Sequence, residues 1–354
     1  VTYISPSKAL SHIDRLAKWH AGGKPAPVTI EWDLSNRCYL GCEGCHFAYT
    51  HTKGPWVLQS RVSPTGFDPT GDLADTELVK RGLSQMAEAG VKGVVWSGGG
   101  EPTTHPHWID LVEHAVGCGL DVGMYTAGGL ITPETAPRLG AAATWVVVSM
   151  DAPTATGYAK EKRSTPAMHA RACATVQMLA AQPVDVGVSF LIHEGNWREM
   201  PAMRAMALEL GATFAMFRPR IDTVPDAPTV NVSPTGWVTQ ALPLLHEMSA
   251  LPNTECDALR FTKYQHFERR YTACHGIKLN ATITPDGRVW LCPQHRGVSG
   301  SCIGDLRRES FVELWSRHPG AQTNFHDCRV MCRLHLVNEV VGEVFSPRAH
   351  SSFV

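Results

Sequence analysis

The 354-residue chain has no uninterrupted apolar run approaching the length of a bilayer-spanning helix, so no membrane anchor is expected. Residues 1–24 lack the charged start, apolar stretch and small-residue cleavage site of a secretory signal, which points to the cytoplasm. Neither sign of charge predominates: 32 Lys and Arg stand against 33 Asp and Glu, a net charge of −1. That balance leaves no electrostatic footprint for nucleic acid or an anionic membrane, and a small molecule or a peptide is the expected partner. Apolar residues at 44% and charged residues at 18% are ordinary for an enzyme, and the length suits one barrel-sized domain with a smaller appendage.

Cysteine, by contrast, is plentiful. Eleven are present, concentrated at 38–45 and 274–332, and in a reducing compartment such clustering favours metal or redox chemistry over disulfides. Cys38, Cys42 and Cys45 follow the apolar run 28–34 with the spacing CxxxCxxC. Three thiolates on one short loop can hold three corners of a four-iron, four-sulfur cluster and leave the fourth iron open for chemistry. The alternative is a zinc site with His46 as fourth ligand, although four ligands within nine residues make a cramped tetrahedron. The segment 46–71 is rich in Gly, Pro, Ser and Thr. It leaves directly from this loop, as a lid over an active site or as a surface insertion. Of the seventeen histidines, His46 and His51, beside this loop, are the ones to test.

The hydrophobic pattern from residue 72 onward alternates strand and helix. Helices are expected at 73–89, 108–118, 133–139, 171–180 and 198–210. Strands are expected at 92–96, 120–126, 144–150, 184–192 and 212–217. With the strand at 28–34 this predicts six parallel strands closing into a partial TIM-like barrel, whose ligand sites lie at the strand C-terminal ends. A short amphipathic helix at 6–20 precedes them. The strand at 92–96 runs into Ser97-Gly98-Gly99-Gly100-Glu101-Pro102, where glycines allow close backbone approach to a ligand and a glutamate offers an acceptor.

The cysteine spacing and the Gly-Gly-Glu one helix and one strand later resemble the radical S-adenosylmethionine (SAM) superfamily. The resemblance implies a SAM bound to the open iron and cleaved reductively to a 5'-deoxyadenosyl radical, which removes a substrate hydrogen. It further implies that Gly99, Gly100 and Glu101 bind the SAM ammonium group. Ser149 and Ser189 become candidates for the ribose, and Arg163 or Arg218 for the SAM carboxylate. One family feature is missing: Gly44 stands before the third cysteine, where an aromatic residue is usual.

In the C-terminal field, Cys274 and Cys292 fit CX12GX4C around Gly287. The residues between them read as a β-hairpin, 279–284 and 288–291, turning at Pro285-Asp286-Gly287. A hairpin brings the two cysteines together at its base. Cys302, a helix at 307–317, Cys328 and Cys332, and a last helix follow. This field resembles the twitch half of the SPASM/twitch extension. The resemblance implies one auxiliary [4Fe-4S] cluster on Cys274, Cys292, Cys328 and Cys332, since the full SPASM set of seven cysteines is not present. Two thiolate pairs would equally fit zinc. Cys302 is left as an alternative ligand, a packing residue or a hydrogen-atom donor. Cys118, Cys173 and Cys256 have no cysteine partners nearby in sequence and read as structural.

These readings divide the chain into an N-terminal helix (1–27), a radical SAM barrel (28–217), a linker with a helix at 234–250 (218–270) and an auxiliary-cluster domain (271–354). The expected activity is oxidation or epimerisation of a sugar, aminocyclitol or nucleoside, with a flavodoxin or ferredoxin as electron donor. Only one helix precedes the first strand, which argues against a ribosomal peptide, so a peptide-modifying enzyme is the alternative. A non-catalytic protein with two zinc sites is the rival from another class.

Overall fold

The computed structural model describes residues 5–42, 45, 73–220, 236–256, 269–296, 300–321, 323 and 334–345. The segment 46–71 with His46 and His51, most of the linker, and Cys328 and Cys332 lie outside the described residues.

The core is one ten-stranded sheet. Its strands are β1 (Thr29–Trp32), β2 (Gly93–Trp96), β3 (Asp121–Thr126), β4 (Trp145–Ser149), β5 (Asp185–Ile192), β6 (Phe214–Pro219), β7 (Thr254–Cys256), β8 (Asn280–Ile283), β9 (Arg288–Trp290) and β10 (Cys302–Asp305). The spatial order is β10-β9-β8-β1-β2-β3-β4-β5-β6-β7. From β1 to β7 every neighbour is parallel, as in a partial TIM barrel. The crossover helices are α2 (Thr76–Glu88), α3 (Trp108–Gly117), α4 (Thr135–Ala142), α6 (Pro166–Ala180), α7 (Met200–Glu209) and α8 (Trp237–Ala250), with α1 (Ile13–His20) ahead of β1 and a short α5 (Ala155–Glu161) after β4.

Alternation along the strands divides the side chains between two faces. Ile30, Trp32, Val94, Trp96, Val122, Met124, Val146, Val148, Val188 and Phe217 join the main core under the helices. Trp32 lies so close to α2 that a Cβ at Gly82 would stand 2.5 Å from its indole. The opposite face carries Tyr125, Trp145, Val147, Phe214 and Met216, a separate cluster inside the barrel. Gly123 and Gly187 make room for it, because a Cβ there would collide with Trp145 and Phe214 respectively. Above this apolar floor the inward positions turn polar: Ser149, Ser189 and Arg218.

The six expected strands and their helices are present, and three features differ. A seventh parallel strand, β7, follows α8 in a stretch read as linker. It is three residues long and begins just after Asn253, whose φ is +56°. The hairpin β8–β9 forms as expected, with Gly287 at φ +81° in its turn, but it is not set apart from the barrel. β8 pairs in parallel with β1, Thr29 against Asn280 through Trp32 against Ile283. The helix expected at 307–317 begins only at α9 (Phe311–Ser316), because Ser310 and Glu313 form a capping box. The final helix is α10 (His335–Phe345). No helix among the described residues is long and apolar enough to cross a membrane.

Candidate active site and auxiliary cysteine site

The first cysteine loop starts where β1 ends, and its entry is seated on the glycine motif after β2. Gly100 N donates to Ser35 O at 2.6 Å and Glu101 N to Arg37 O at 2.8 Å, while the Thr104 hydroxyl donates to Ser35 Oγ at 2.7 Å. Gly99 has φ +74°, and a Cβ on Gly100 would lie 2.0 Å from the Arg37 carbonyl oxygen. These two glycines therefore let the chain that leads into Cys38 lie directly on the β2 loop.

Glu101 is buried. Its carboxylate accepts from Thr103 N (3.2 Å), Thr103 Oγ1 (2.6 Å), Thr126 Oγ1 (2.6 Å) and Ala127 N (2.6 Å). It ties the end of β2 to the end of β3. Burial raises its pKa against the pull of those four donors.

Cys38, Cys42 and Cys45 are half-buried on one loop, with Cys45 N donating to Cys42 O at 3.3 Å. Two contacts from the barrel hold the loop. Gly41 N donates to Lys162 O at 2.9 Å, and Gly129 N, after β3, donates to the Tyr39 hydroxyl at 2.8 Å. Beside Cys42 lies a buried cation: Lys162 Nζ donates to Ser149 Oγ at 2.8 Å and pairs with Asp151 Oδ2 at 2.5 Å. Burial works against that charge, but Asp151 and then Cys42 outweigh it and the lysine pKa stands above its ordinary value. Burial also lifts the Cys42 thiol, with Lys162 as the first influence opposing it. Asp151 holds φ +60° and its Oδ1 accepts from Leu191 N at 2.8 Å, locking the carboxylate between β4 and β5.

Of the barrel residues expected from resemblance, three converge. Ser149 and Ser189 are register partners on β4 and β5, and Arg218 on β6 donates to Ser189 Oγ at 3.1 Å while lying 5.0 Å from the Tyr125 ring centroid. Arg218 Nε is buried without a hydrogen-bond partner among the described residues. Arg163 lies elsewhere: its residue is exposed, with φ +45°, and its Cβ rests against Gly41. The inward cation is its neighbour, Lys162. Sequence reading missed Lys162, Asp151 and Tyr39, and only Asp151, directly after the Ser149-Met150 strand end, carried a positional signal.

The donor set suits a multi-iron cluster. Three thiols on one short loop supply three corners of such a cluster and leave its fourth iron open, whereas a single metal ion would need a fourth donor from elsewhere. The Tyr158 hydroxyl is fully buried with no hydrogen-bond partner among the described residues. Burial pushes its pKa up to about 12, with Lys162 opposing and Cys42 adding.

At the hairpin base, Cys274 and Cys292 are buried in one cluster with Ile277, Leu291 and Leu334. Cys274 Sγ accepts from Asn338 Nδ2 at 3.1 Å. A side-chain donor of this kind stabilises a thiolate ligand. Cys302 does not join them. Its Sγ donates to Gly304 O at 3.5 Å, and its neighbour Ile303 is the residue that packs on the Cys274–Cys292 cluster.

A further buried charge group links the two sites. Arg296, four residues after Cys292, pairs with Glu31 at 2.6 Å and with Asp33 at 2.8 Å, and the Ser97 hydroxyl donates to Glu31 at 2.6 Å. All three charged side chains are at most 4% exposed. The signal for it was Glu31 and Asp33, two carboxylates alternating with Ile30, Trp32 and Leu34.

Comparison with known proteins agrees with this geometry. The radical SAM superfamily is matched over residues 32–207 and an iron-sulfur cluster-binding SPASM domain over residues 274–334. An AdoMet-dependent heme synthase of Methanosarcina barkeri is 24% identical over 82% of each chain. A PqqA peptide cyclase of Streptomyces rochei is 26% identical over 83% of this chain and 76% of its own. The mycofactocin maturase MftC of Mycobacterium tuberculosis is 29% identical over 59% of this chain, which spans about half (49%) of that relative. Among solved structures, Streptococcus suis SuiB bound to its precursor peptide SuiA superposes with a TM-score of 0.63 at 14% identity, covering 90% of this chain and 71% of that one. The chain belongs to the radical SAM superfamily and carries a SPASM-type iron-sulfur domain, so a SAM-binding [4Fe-4S] cluster and auxiliary cluster binding come with it.

Proposed function

We propose that this radical SAM enzyme modifies a peptide. The observation that carries the reading is the likeness to peptide cyclases over more than four-fifths of the chain. It displaces the expectation of a sugar, aminocyclitol or nucleoside substrate, and the N-terminal helix does not bear on the choice, since SuiB's chain is longer than this one.

When bound, the cluster and SAM supply the one-electron cleavage chemistry that removes a substrate hydrogen atom. The residues divide the remaining work. Cys38, Cys42 and Cys45 hold the SAM cluster. The backbone of Gly99 and Gly100 faces the SAM ammonium, with Glu101 acting as the brace that fixes their turn. Lys162, in place of Arg163, receives the SAM carboxylate, while Ser149, Ser189 and Arg218 line the ribose and substrate side of the barrel mouth. Cys274, Cys292, Cys328 and Cys332 hold the auxiliary cluster, and a flavodoxin or ferredoxin supplies electrons.

A second reading keeps a small-molecule substrate, because the heme synthase relative is matched over 82% of both chains. The test serves both. Anaerobically reconstituted, reduced protein is given SAM with either short peptides encoded beside its gene or iron-free and iron-loaded porphyrinoids. Peptide-stimulated release of 5'-deoxyadenosine with a peptide losing two hydrogens supports the first reading. Stimulation by the porphyrinoid alone overturns it.

A further inference from the structure

Asn338 on α10 is fully buried and engages the auxiliary site with both ends of its amide. Its Nδ2 donates to Cys274 Sγ at 3.1 Å, and its Oδ1 accepts from Gly276 N at 2.7 Å. The amide orientation follows from its partners, since the reversed group would set its NH2 against the Gly276 N–H and its oxygen against the sulfur. Asn338 thus bridges the Cys274 sulfur and the backbone of the turn that follows it. A neutral thiol accepts hydrogen bonds weakly. A buried amide donor aimed at the sulfur suits the charge of a metal-bound thiolate.

We propose that Asn338 is a positioning residue for the auxiliary cluster: it fixes the Cys274 side chain and, through its N–H···S bond, raises the reduction potential of the cluster held there. The physical basis is that donors to cluster sulfurs stabilise the more negative, reduced form. The proposal rests on Cys274 being a cluster ligand. It gives the last helix, remote in sequence from the barrel, a part in setting how readily the auxiliary cluster takes up an electron.

Asn338→Asp tests this in the reconstituted enzyme, because it keeps the oxygen that receives Gly276 N–H and removes the donor to sulfur. The expected result is a lower midpoint potential for the auxiliary cluster in an EPR redox titration. The SAM cluster of the same molecules keeps its potential, and iron content and circular dichroism match the wild type. Two intact clusters with unchanged potentials overturn the proposal. A second measurement needs no variant: wild-type protein labelled with 15N in asparagine side chains shows a 15N hyperfine coupling on the reduced auxiliary cluster, and its absence overturns the proposal. If the wild type retains about four irons per chain and not about eight, the ligand assignment itself falls and the proposal with it.

Discussion

Arg296 and Glu31 meet at 2.6 Å inside the barrel, though 265 positions separate them in the chain. The guanidinium comes from the segment that follows Cys292, the carboxylate from the strand that leads into Cys38. With Asp33 as second partner, the pairing joins the two iron-binding regions through a group that water does not reach.

Replacing Arg296 by Met removes the cation that the buried Glu31 and Asp33 share. Removing one partner of a buried pair costs about 3–5 kcal/mol. Urea unfolding of the variant is expected to show a loss of that order, and the double variant Arg296→Met, Asp33→Asn to recover part of it. A single-variant loss below about 1 kcal/mol would show that the group is solvated in solution.

Gly100→Ala is expected to disturb the SAM cluster more than the fold. A Cβ would stand 2.0 Å from the Arg37 carbonyl oxygen, so the strand exit before Cys38 must shift. Such a shift costs about 1–3 kcal/mol in stability. The measurement is iron retained after anaerobic gel filtration, expected to fall in this variant and to stay at the wild-type level in Gly117→Ala, where the added methyl meets nothing within 4 Å.

Lys162→Met removes the buried cation beside Cys42 and leaves Asp151 without its 2.5 Å partner. If this ammonium receives the SAM carboxylate, losing a charge-assisted bond of about 1.5–3 kcal/mol weakens SAM binding roughly ten- to a hundred-fold. Isothermal titration of SAM into the reconstituted protein measures it. Arg163→Met, at the exposed neighbour, is expected to leave SAM affinity within about two-fold of the wild type.

The contrast between these adjacent residues shows where sequence reading stops. The order of strands and helices, the loop of Cys38, Cys42 and Cys45, the Gly99–Glu101 turn and the hairpin between Cys274 and Cys292 all have local signatures, in period, spacing or turn chemistry. Which member of Lys162-Arg163 faces the barrel depends on the φ of +45° at Arg163 and on Asp151 across the strand end, and neither is written in the pattern. β7 is too short to show a period. The parallel pairing of β8 with β1 joins segments 251 residues apart, and Arg296 finds Glu31 only once that pairing exists.

His318 gives a pH dependence. It is fully buried between Trp19 and Trp315, its Nε2–H donates to Ile277 O at 3.0 Å and its Nδ1 accepts from Gly320 N at 3.0 Å. Burial lowers its pKa to about 4, from an ordinary 6.5. The unfolded chain therefore binds a proton that the folded one refuses. Stability from this group is whole above about pH 6.5 and declines as pH falls toward 4, by roughly 3 kcal/mol in all. Urea midpoints between pH 7.5 and 4.5 are expected to fall less steeply in His318→Gln than in the wild type. Parallel slopes would exclude this histidine as the source.

The shared edge of β1 and β8 fixes the distance between two ends of the molecule. The Cys38 loop leaves the C-terminal end of one strand, and Cys274 enters before the N-terminal end of the other, so the two metal-binding ends lie at opposite poles of four hydrogen-bonded residue pairs. Those pairs span about 13 Å along the strands. A rigid ladder of that height works as a spacer: insertions in the surface loops can reshape the mouth of the barrel without altering the separation of its two poles.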